Sequence, residues 1–475
     1  MWTQRDQLQA YQFLRRRVVS ALQFGDANHP ASPTRRVLVS TSVGLGCALL
    51  VLAGVGVYGL LRPGANTDWR QPGRVVIERE SGASFVLDES GALRPVLNFT
   101  SARLLAGPDA TTVSVSAKSL AGAPRGLPLG IPGAPTSLPA KRALLNGSWS
   151  VCSQRPTGDS AGARATTTLT IGPAPVGREV GPGQSLYVRT GDASYLVADG
   201  RRFRVRSTAV VVALGYDGTE PVTVSDAWVG AIPAGPELAL IRVAGSGDTG
   251  PRIGDLDTAV GQVLVADNVG GAQRYYRVRA GSLEPITQTE AALILGSRAN
   301  RQAYGDRTPA PVQVSAADVA ASGKVAATRS ADNPATADYP ALVPELVPVP
   351  PGATVLCATS AGTGPATLRV APRVPVPAGA RAVAVPRGDG ETPTADRIYV
   401  PPGAGVLAIE RRQGGAATGY LVSDEGVRYP VGSDDDVRAL GYGGVRAVPV
   451  ARTLLALLPT GPTLDSASAH EVVKR

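Results

Sequence analysis

The clearest pattern in the chain is one long apolar stretch, Val37 to Leu61, which carries no charged side chain over 25 residues. Arg36 precedes this stretch and Arg62 follows it. At a rise of about 1.5 Å per residue, a helix of this length reaches about 38 Å and can cross a hydrocarbon core of about 30 Å. The stretch predicts one membrane-spanning helix. A signal peptide is disfavoured, because its apolar core is only about 7–15 residues long and lies near the start.

Charges on either side of the predicted helix favour one orientation. The arginines before it are Arg15, Arg16, Arg17, Arg35 and Arg36, and those after it are Arg62, Arg70, Arg74 and Arg79. Basic residues concentrate on the cytoplasmic side of a membrane helix. The small excess before the helix therefore favours an N-terminus in the cytoplasm.

A second helical pattern lies before the apolar stretch. Apolar side chains recur there every three or four positions, at Leu8, Tyr11, Leu14, Val18 and Leu22. Thr3 and Asp6 have capping-box spacing, and Arg15, Arg16 and Arg17 add positive charge. The pattern predicts a basic amphipathic helix. Such a helix lies on anionic lipid, docks a cytoplasmic partner or is merely solvated, and the sequence leaves these three roles open.

The rest of the chain contains one pattern four times. Each copy has a hydrophobic pair with an aromatic member, then a glycine, then a leucine fourteen residues after that glycine. The copies are Phe85-Val86 with Gly91 and Leu105, Tyr195-Leu196 with Gly200 and Leu214, Tyr275-Tyr276 with Gly281 and Leu295, and Tyr420-Leu421 with Gly426 and Leu440. This equal spacing predicts four internal repeats.

Each repeat is predicted to contain three strands and one helix. Two β-branched or aromatic runs joined by a turn predict the first two strands. A helix follows the glycine, with capping-box spacing at Thr287 with Glu290 and at Ser433 with Asp436. Alternating valines after it predict the third strand. Units of about 50 residues hold little core alone, so they are expected to pack on neighbours or on a central body.

Cysteine placement suggests how that central body is held together. Cys47 lies inside the apolar stretch, whereas Cys152 and Cys357 lie in the two segments outside the repeats. An isolated pair in a large domain fits one disulfide in an oxidising compartment. Two unrelated buried thiols are the alternative, and the residues alone leave it open.

Composition argues against several chemical classes. The net charge is +9, but 43 of the 47 basic residues are arginines scattered without a basic stripe, which disfavours nucleic-acid binding. The two histidines, His29 and His470, lie outside the predicted folded body, so triads and zinc sites that need an imidazole are not expected. The chain has no P-loop sequence. The acidic run Asp434–Asp436 follows Ser433 and is interpreted as a helix N-terminus rather than a metal site.

Several segments across nearly the whole length match one family pattern. They are Thr3-Gln4-Arg5-Asp6-Gln7, Tyr11 to Arg17, Leu60-Leu61-Arg62-Pro63, Leu93 to Asn98, Ser101 to Leu104, Ser148 to Cys152, Tyr399 to Gly403 and Leu457 to Thr463. With these segments the chain resembles the EccB family, the membrane component of actinobacterial type VII (ESX) secretion systems.

The resemblance implies a fold, a location and partners. It implies a cytoplasmic N-terminus, one crossing of the plasma membrane and a periplasmic domain whose core contains a Cys152–Cys357 disulfide. The implied partners are the ATPase EccC, the polytopic EccD, EccE in mycobacterial systems and further copies of the chain. The implied role is a structural subunit of the export channel, without a cofactor. Members of the family have also been labelled ATPases, which makes a nucleotide hydrolase using ATP the alternative, and a peptidoglycan-binding module is a third hypothesis.

The predicted fold class is α+β and rich in β-structure: a single N-terminal transmembrane helix, then four small α/β repeats around a disulfide-stapled core. The predicted boundaries are 1–36 for the cytoplasmic segment, 37–61 for the membrane helix, 62–139 for a linker and repeat 1, 140–180 and 326–400 for the core, 181–250 for repeat 2, 251–325 for repeat 3, 401–465 for repeat 4 and 466–475 for a tail.

Overall fold

The computed structural model describes residues 3–28, 33–61, 67–155, 164–267, 271–326, 336, 338–350, 354–385, 394–410 and 417–473. The chain divides into two compact units. We name Met1–Pro95 with Thr111–Gly126 unit 1, and Val96–Ala110 with Leu127–Arg475 unit 2.

Short strands and short helices alternate along most of the described chain. The helices are α1 (Gln4–Phe24), α2 (Pro33–Leu61), α3 (Phe99–Ala106), α4 (Ala117–Leu120), α5 (Thr208–Ala213), α6 (Asp226–Ala231), α7 (Gln288–Leu295), α8 (Ala316–Ala321), α9 (Asp434–Ala439), α10 (Arg452–Leu455) and α11 (Ser466–Ala469). The strands are β1 (Arg74–Glu78), β2 (Ser84–Leu87), β3 (Leu93–Val96), β4 (Thr111–Val115), β5 (Trp149–Gln154), β6 (Thr166–Ile171), β7 (Arg178–Glu179), β8 (Gln184–Thr190), β9 (Ala193–Ala198), β10 (Arg201–Val205), β11 (Val222–Thr223), β12 (Val263–Asp267), β13 (Gln273–Val278), β14 (Leu283–Ile286), β15 (Val312–Val314), β16 (Glu345–Leu346), β17 (Val355–Ser360), β18 (Thr367–Ala371), β19 (Val383–Ala384), β20 (Arg397–Tyr399), β21 (Val406–Glu410), β22 (Thr418–Val422), β23 (Arg428–Val431) and β24 (Val448–Val450).

The two long helices lie in unit 1 and follow their sequence patterns. α1 begins at Thr3, whose amide and hydroxyl both donate to a carboxylate oxygen of Asp6, at 2.9 and 2.7 Å. It ends at Gly25, whose φ of 71° is a left-handed conformation that glycine adopts without strain. In α2, the segment Val37–Tyr58 has the length and hydropathy to span a membrane. The prediction that the apolar stretch forms one long helix is therefore confirmed.

Four small sheets share one topology, which confirms the α+β fold class. Their strand orders are β3-β2-β1-β4, β10-β9-β8-β11, β14-β13-β12-β15 and β23-β22-β21-β24. In each sheet the first two strands form an antiparallel pair, and the last strand lies parallel to the first. A parallel return needs a crossover, and the helix of each repeat supplies it. The boundaries between repeats and core stay predictions.

The prediction of three strands and one helix per repeat is wrong, because each repeat also has a further strand and a further short helix. The strand lies between the glycine and the first helix, as β3, β10, β14 or β23, and the helix follows the last strand. Three of these strands contain a proline, at Pro95, Pro285 and Pro430. Proline lowers the β signal of a sequence, yet it is tolerated here because these strands lie at one end of their sheets.

A seven-stranded sheet forms the core of unit 2, in the order β19-β20-β6-β5-β17-β18-β7. It combines two segments that are distant in sequence, β5 to β7 and β17 to β20. β5 and β17 pair in antiparallel orientation at its middle. The largest hydrophobic cluster packs here, and it contains the fully buried indoles of Trp149 and Trp228.

The chain consists of two halves with the same order of parts. Each half contains one small repeat, then a linker, then two strands of the central sheet, then another small repeat. In unit 2 the linker before β5 pairs with the start of the fourth repeat, through Leu144 and Gly405. The linker before β17 pairs through β16 with the start of β8. The equivalent strands β5 and β17 lie side by side. These pairings describe an approximate internal two-fold axis that passes between β5 and β17.

Candidate functional site

Cys152 and Cys357 form the predicted disulfide on the internal two-fold axis. They are direct partners on β5 and β17, with Cα atoms 4.1 Å apart and a sequence separation of 205. Both side chains are fully buried, in a cluster with Val355, Ala371 and Val374. The alternative of two unrelated thiols is therefore wrong, and the bond joins the two segments of the central sheet.

The second and third repeats meet through α5 and α7, and this contact is close and apolar. Gly296 caps α7, and an ideal Cβ at this position would overlap the Cβ of Ala213, the last residue of α5. The buried amide of Asn300 donates to the carbonyls of Ile241 and Ile294, at 2.8 Å each, and its oxygen accepts a backbone amide at 2.9 Å. These three bonds satisfy the side-chain amide of Asn300. The contact between the two repeats therefore contains a buried polar group that keeps its hydrogen-bond partners.

The equivalent helices α3 and α9 meet through a charged side chain. Nε of Arg103 donates to the carbonyl of Ala439 at 3.1 Å, and Nη1 donates to the carbonyl of Ala110. Partial burial lowers the pKa of Arg103, while the nearby phenol of Tyr442 opposes that shift. The guanidinium stays charged at neutral pH, because arginine ordinarily titrates above about 12. Here a cation bonded to backbone carbonyls accompanies the apolar contact of Leu104 with the cluster that contains Ala439.

Two tyrosines tie repeats to the linkers that enter the central sheet. They end the identical tripeptides Leu-Gly-Tyr at 214–216 and 440–442. The phenol of Tyr216 donates to the carbonyl of Pro344 at 2.5 Å, and that of Tyr442 donates to the carbonyl of Pro139 at 2.9 Å. Burial raises the pKa of Tyr216 to about 12 and also raises that of Tyr442, because a phenolate is poorly solvated there. Sequence reasoning missed these residues, although the shared tripeptide was the available signal.

The predicted partner-docking residues all lie on α1, and all are exposed. They are Leu8, Tyr11, Leu14, Arg15, Arg16, Arg17, Val18 and Leu22. At 100° per residue the five apolar members occupy one face of the helix. Phe13 and Phe24 lie on the opposite face, with the guanidinium of Arg17 5.8 Å from the Phe13 ring centre. Sequence reasoning missed this second apolar face because it contains only two large side chains.

Two acidic groups that the sequence or their burial singles out have structural roles. Ser433 caps α9 by accepting the amide of Asp436 at 3.2 Å, which confirms that the run Asp434–Asp436 begins a helix. The buried Glu284 accepts from Nε of Arg279 at 2.9 Å and also pairs with Arg277. Among the described residues, no group of three or more histidine, cysteine or acidic side chains could hold a metal ion.

Comparison with known proteins places this architecture in one family. The family model described as "Type VII secretion system ESX-1, transport TM domain B", EccB, matches residues 1–473. The "ESX-3 secretion system ATPase EccB3" of Mycobacterium tuberculosis is 27% identical over 98% of this chain and 88% of its own length. The "ESX-5 secretion system ATPase EccB5" of the same organism is 29% identical over 98% of this chain and 92% of its own length.

Two solved structures show the same fold. A chain of an intact ESX-5 inner membrane complex has a TM-score of 0.67 and 25% identity, and the match covers 100% of this chain and 96% of that chain. A chain of the EccB3 dimer from the ESX-3 core complex has a TM-score of 0.64 and 27% identity, over 84% of this chain and 99% of that one. Because the family model spans almost every residue, the chain belongs to the EccB family of type VII secretion proteins.

Proposed function

We propose that this chain is a structural subunit of a type VII (ESX) secretion complex in the inner membrane, where it scaffolds the periplasmic side of the export channel. The family match over residues 1–473 carries the proposal. The similarity over the full chain to a subunit of an intact ESX-5 inner membrane complex supports it. Further copies of the chain, EccC, EccD and EccE are the proposed partners.

The proposed topology is a cytoplasmic N-terminus, one crossing by α2 and a periplasmic C-terminal part. The buried Cys152–Cys357 disulfide supports this topology, because structural disulfides persist in oxidising compartments. The arginines of α1 support it as well, since basic residues favour the cytoplasmic side. Alkaline phosphatase fused after Val473 is expected to be active, and green fluorescent protein fused there is expected to be dark. The reverse pattern would overturn the topology.

A rigid scaffold is the role that the described geometry supports best. The second and fourth repeats pack on a sheet that a disulfide closes at its middle, and the buried Asn300 and Glu284 are bonded within the fold. Side chains held in this way are not poised to exchange partners with a substrate. We therefore assign the folded part to holding other subunits in place.

The principal test is extraction of the full-length chain from its membrane in a mild detergent. A scaffold subunit is expected to migrate in a complex far larger than its own 48.6 kDa and to carry the ATPase and polytopic subunits with it. Recovery as an isolated chain in several mild detergents would contradict the proposal.

The five-residue apolar face of α1 is the proposed docking site for the EccC ATPase. A carboxylate placed on that face opposes apolar contact, so Leu14→Asp is expected to lower ATPase recovery about tenfold or more. Gln9→Asp adds the same charge to an exposed position away from that face and is the matched control. Equal ATPase recovery with both variants, together with loss of binding to anionic vesicles by Leu14→Asp, would assign the face to lipid instead.

Nucleotide hydrolysis is the second candidate, because the curated relatives carry the word ATPase in their names. It predicts turnover by the purified full-length chain that a single pocket substitution abolishes. Turnover that is unaffected by substitution of the chain's carboxylates and arginines would indicate a contaminating enzyme.

A further inference from the structure

Two segments of unit 2 leave their repeats at equivalent places in the internal two-fold arrangement. The segment 239–247 follows Leu238, which pairs in parallel with β10 of the second repeat. The segment 465–473 follows Leu464, which pairs in parallel with β23 of the fourth repeat. Because β10 and β23 hold the same position in their sheets, the two segments are counterparts. We name 239–247 the first strap and 465–473 the second strap.

The first strap is bound to α7 and its surroundings by buried groups. Ile241 and Val243 are both buried. The amide of Ile241 donates to the carbonyl of Leu293 in α7 at 3.2 Å. The side-chain amide of Asn300 bonds to the carbonyl of Ile241 at 2.8 Å and accepts the amide of Val243 at 2.9 Å. Two large apolar side chains and three hydrogen bonds therefore fasten the joint between α5 and α7.

The second strap bridges the two sides of the joint between α3 and α9. At one end, the amide of Ser466 donates to the carboxylate of Asp436 at the start of α9, at 2.9 Å. The helix α11 in the middle of the strap packs against α3. At the other end, two backbone hydrogen bonds of 3.0 and 3.3 Å join residues 471–473 to residues 128–130. The strap thus connects α9 with α3 and with the segment beside α3.

The segment that the second strap binds is itself fastened to α3. The side-chain amide of Asn98, which caps α3, donates to the carbonyl of Ile131 at 2.9 Å. The amide of Ile131 donates in turn to the hydroxyl of Ser101 in α3, also at 2.9 Å. Because these side chains are buried, we expect α3 and this segment to move together.

The second strap buries less apolar surface than the first. Ile241 and Val243 lie three and five residues beyond the leucine that begins the first strap. At the matching positions the second strap has Ala467, which is exposed, and Ala469, which is buried. Stabilisation by burial grows with the apolar area removed from water, and alanine offers much less of it than isoleucine or valine. The joint between α3 and α9 is therefore held less firmly than the joint between α5 and α7.

We propose that the joint between α3 and α9 is a place where unit 2 opens, and that the second strap is the latch that closes it. Opening releases residues 128–130 from residues 471–473 and breaks the bond from Arg103 to Ala439, while the repeats stay folded. The joint between α5 and α7 stays closed, because the first strap holds it. The chain can thereby adjust its shape without unfolding a repeat. Opening is a property of the chain itself, so the inference does not rest on the proposed role in a secretion complex.

Amide hydrogen exchange of the full-length chain in detergent tests for this opening. It compares α3 with α7, the equivalent helix of the other joint. Each helix is eight residues long and has at least half of its residues buried. Local opening of the second strap is expected to make the α3 amides exchange about tenfold faster than those of α7, after correction for intrinsic rates. Equal corrected rates in the two helices would overturn the proposal.

A disulfide across the second strap is expected to abolish the opening. Leu129 and Val472 are antiparallel partners, and the two backbone bonds lie on either side of this pair. In such a pair the Cα atoms lie about 4.5 Å apart, a separation that a disulfide spans. Leu129→Cys with Val472→Cys, in a Cys47→Ser background, is expected to slow exchange of α3 about tenfold, to the rate of α7.

The matched control for this disulfide is Leu129→Cys alone in the same background. It removes the same leucine side chain but forms no bond across the strap. Exchange of α7 is expected to stay unchanged in both variants. Failure of the two thiols to pair under mild oxidation, or an unchanged rate at α3 once they have paired, would contradict the proposed latch.

A backbone variant is expected to have the opposite effect. Val473→Pro removes the amide that donates to the carbonyl of Pro128. Loss of this hydrogen bond is expected to raise exchange of α3 about fivefold and to leave α7 unchanged. Val473→Ala keeps the amide and is the control. An equal rise at α3 and α7 would show that the whole unit is destabilised, and it would overturn the inference of a local joint.

Discussion

The two helix contacts of unit 2 occupy equivalent places in the internal two-fold arrangement but have different chemistry. α5 and α7 approach closely because Gly296 leaves room for Ala213. α3 and α9 are joined by Arg103, whose guanidinium bonds to the carbonyls of Ala439 and Ala110. The difference teaches that two contacts with the same topology can be completed by different side chains.

The two contacts retain one feature in common. In each half of the arrangement a tyrosine after the helix donates to a proline carbonyl in a linker, from Tyr216 to Pro344 and from Tyr442 to Pro139. The tyrosine hydroxyl donates to a backbone carbonyl oxygen, and every residue type in the linker would supply that acceptor. This explains how the tyrosine contact persists while the helix contact beside it differs.

Removal of the disulfide is expected to have the largest effect, because it lies on the axis that relates the two contacts. Cys152→Ser with Cys357→Ser releases a loop closed over a sequence separation of 205 residues. On the chain-entropy model this lowers the free energy of unfolding by about 5 kcal/mol. Urea unfolding of the full-length chain in detergent measures the loss, with Cys47→Ser as the control. Hydrogen exchange should rise equally at the equivalent helices α5 and α9, and a rise at one helix alone would contradict a shared axis.

Gly296→Ala is expected to have the next largest effect, and only on the apolar contact. The added Cβ meets the Cβ of Ala213, which cannot rotate away, so the helices must separate. We expect the free energy of unfolding to fall by about 3 kcal/mol, the upper end of overpacking costs. Gly230→Ala is the control, because a Cβ at this position in α6 meets nothing within 4 Å. Equal urea midpoints for the two variants would show that the contact is loose.

Arg103→Met tests the polar contact. Methionine keeps much of the apolar volume but leaves the carbonyls of Ala439 and Ala110 without their charged donor. Hydrogen bonds to charged groups contribute about 1.5–3 kcal/mol, so a loss of about 2 kcal/mol in the free energy of unfolding is expected. The exposed Arg201→Met is the control, with an expected change within about 0.5 kcal/mol. A loss confined to Arg201→Met would exclude Arg103 as the link between α3 and α9.

The tyrosine bonds are expected to give the smallest effect, about 1 kcal/mol for each of Tyr216→Phe and Tyr442→Phe. Their pH dependence is diagnostic. Burial raises the pKa of Tyr216 to about 12, above the value of about 10 expected in the unfolded chain. Its contribution to stability is therefore complete below about pH 10 and is lost as the pH rises from about 10 to about 12.

Alkaline titration of the unfolding midpoint measures this tyrosine contribution. Tyr216→Phe should flatten the decline of stability above about pH 10, whereas the exposed Tyr11→Phe should leave it unchanged. An identical alkaline decline in the parent chain and in Tyr216→Phe would show that this phenol does not change its protonation on unfolding.

Sequence patterns predicted the repeat count and missed part of each repeat for a physical reason. The pattern that predicted the repeats consists of an aromatic pair, a glycine and a leucine. At these positions the structure tolerates few side chains or few backbone conformations. The strands β3, β14 and β23 carry prolines and have few alternating positions, so periodicity does not distinguish them from turns. Their strand character comes from pairing with the preceding strand, which is a tertiary contact.

Of the candidate site residues, Cys152 and Cys357 were suggested by their placement outside the repeats, and their pairing was implied by the family resemblance. Arg103, Gly296, Tyr216 and Tyr442 were not predicted, since an isolated arginine or glycine carries no signal of its eventual neighbour. The face of α1 was predicted from helical spacing alone. Its partner stays a prediction, because the same apolar spacing serves lipid and protein equally.

The sequence by itself determined the features whose cause is local. A run of 25 uncharged residues has to leave water as a helix, and the recurring glycines and aromatic pairs define four units. Only the tertiary structure decided which repeat contacts which. Arg103 and Ala439 are 336 positions apart, and their bond depends on the shapes of two folded surfaces rather than on any period in the chain.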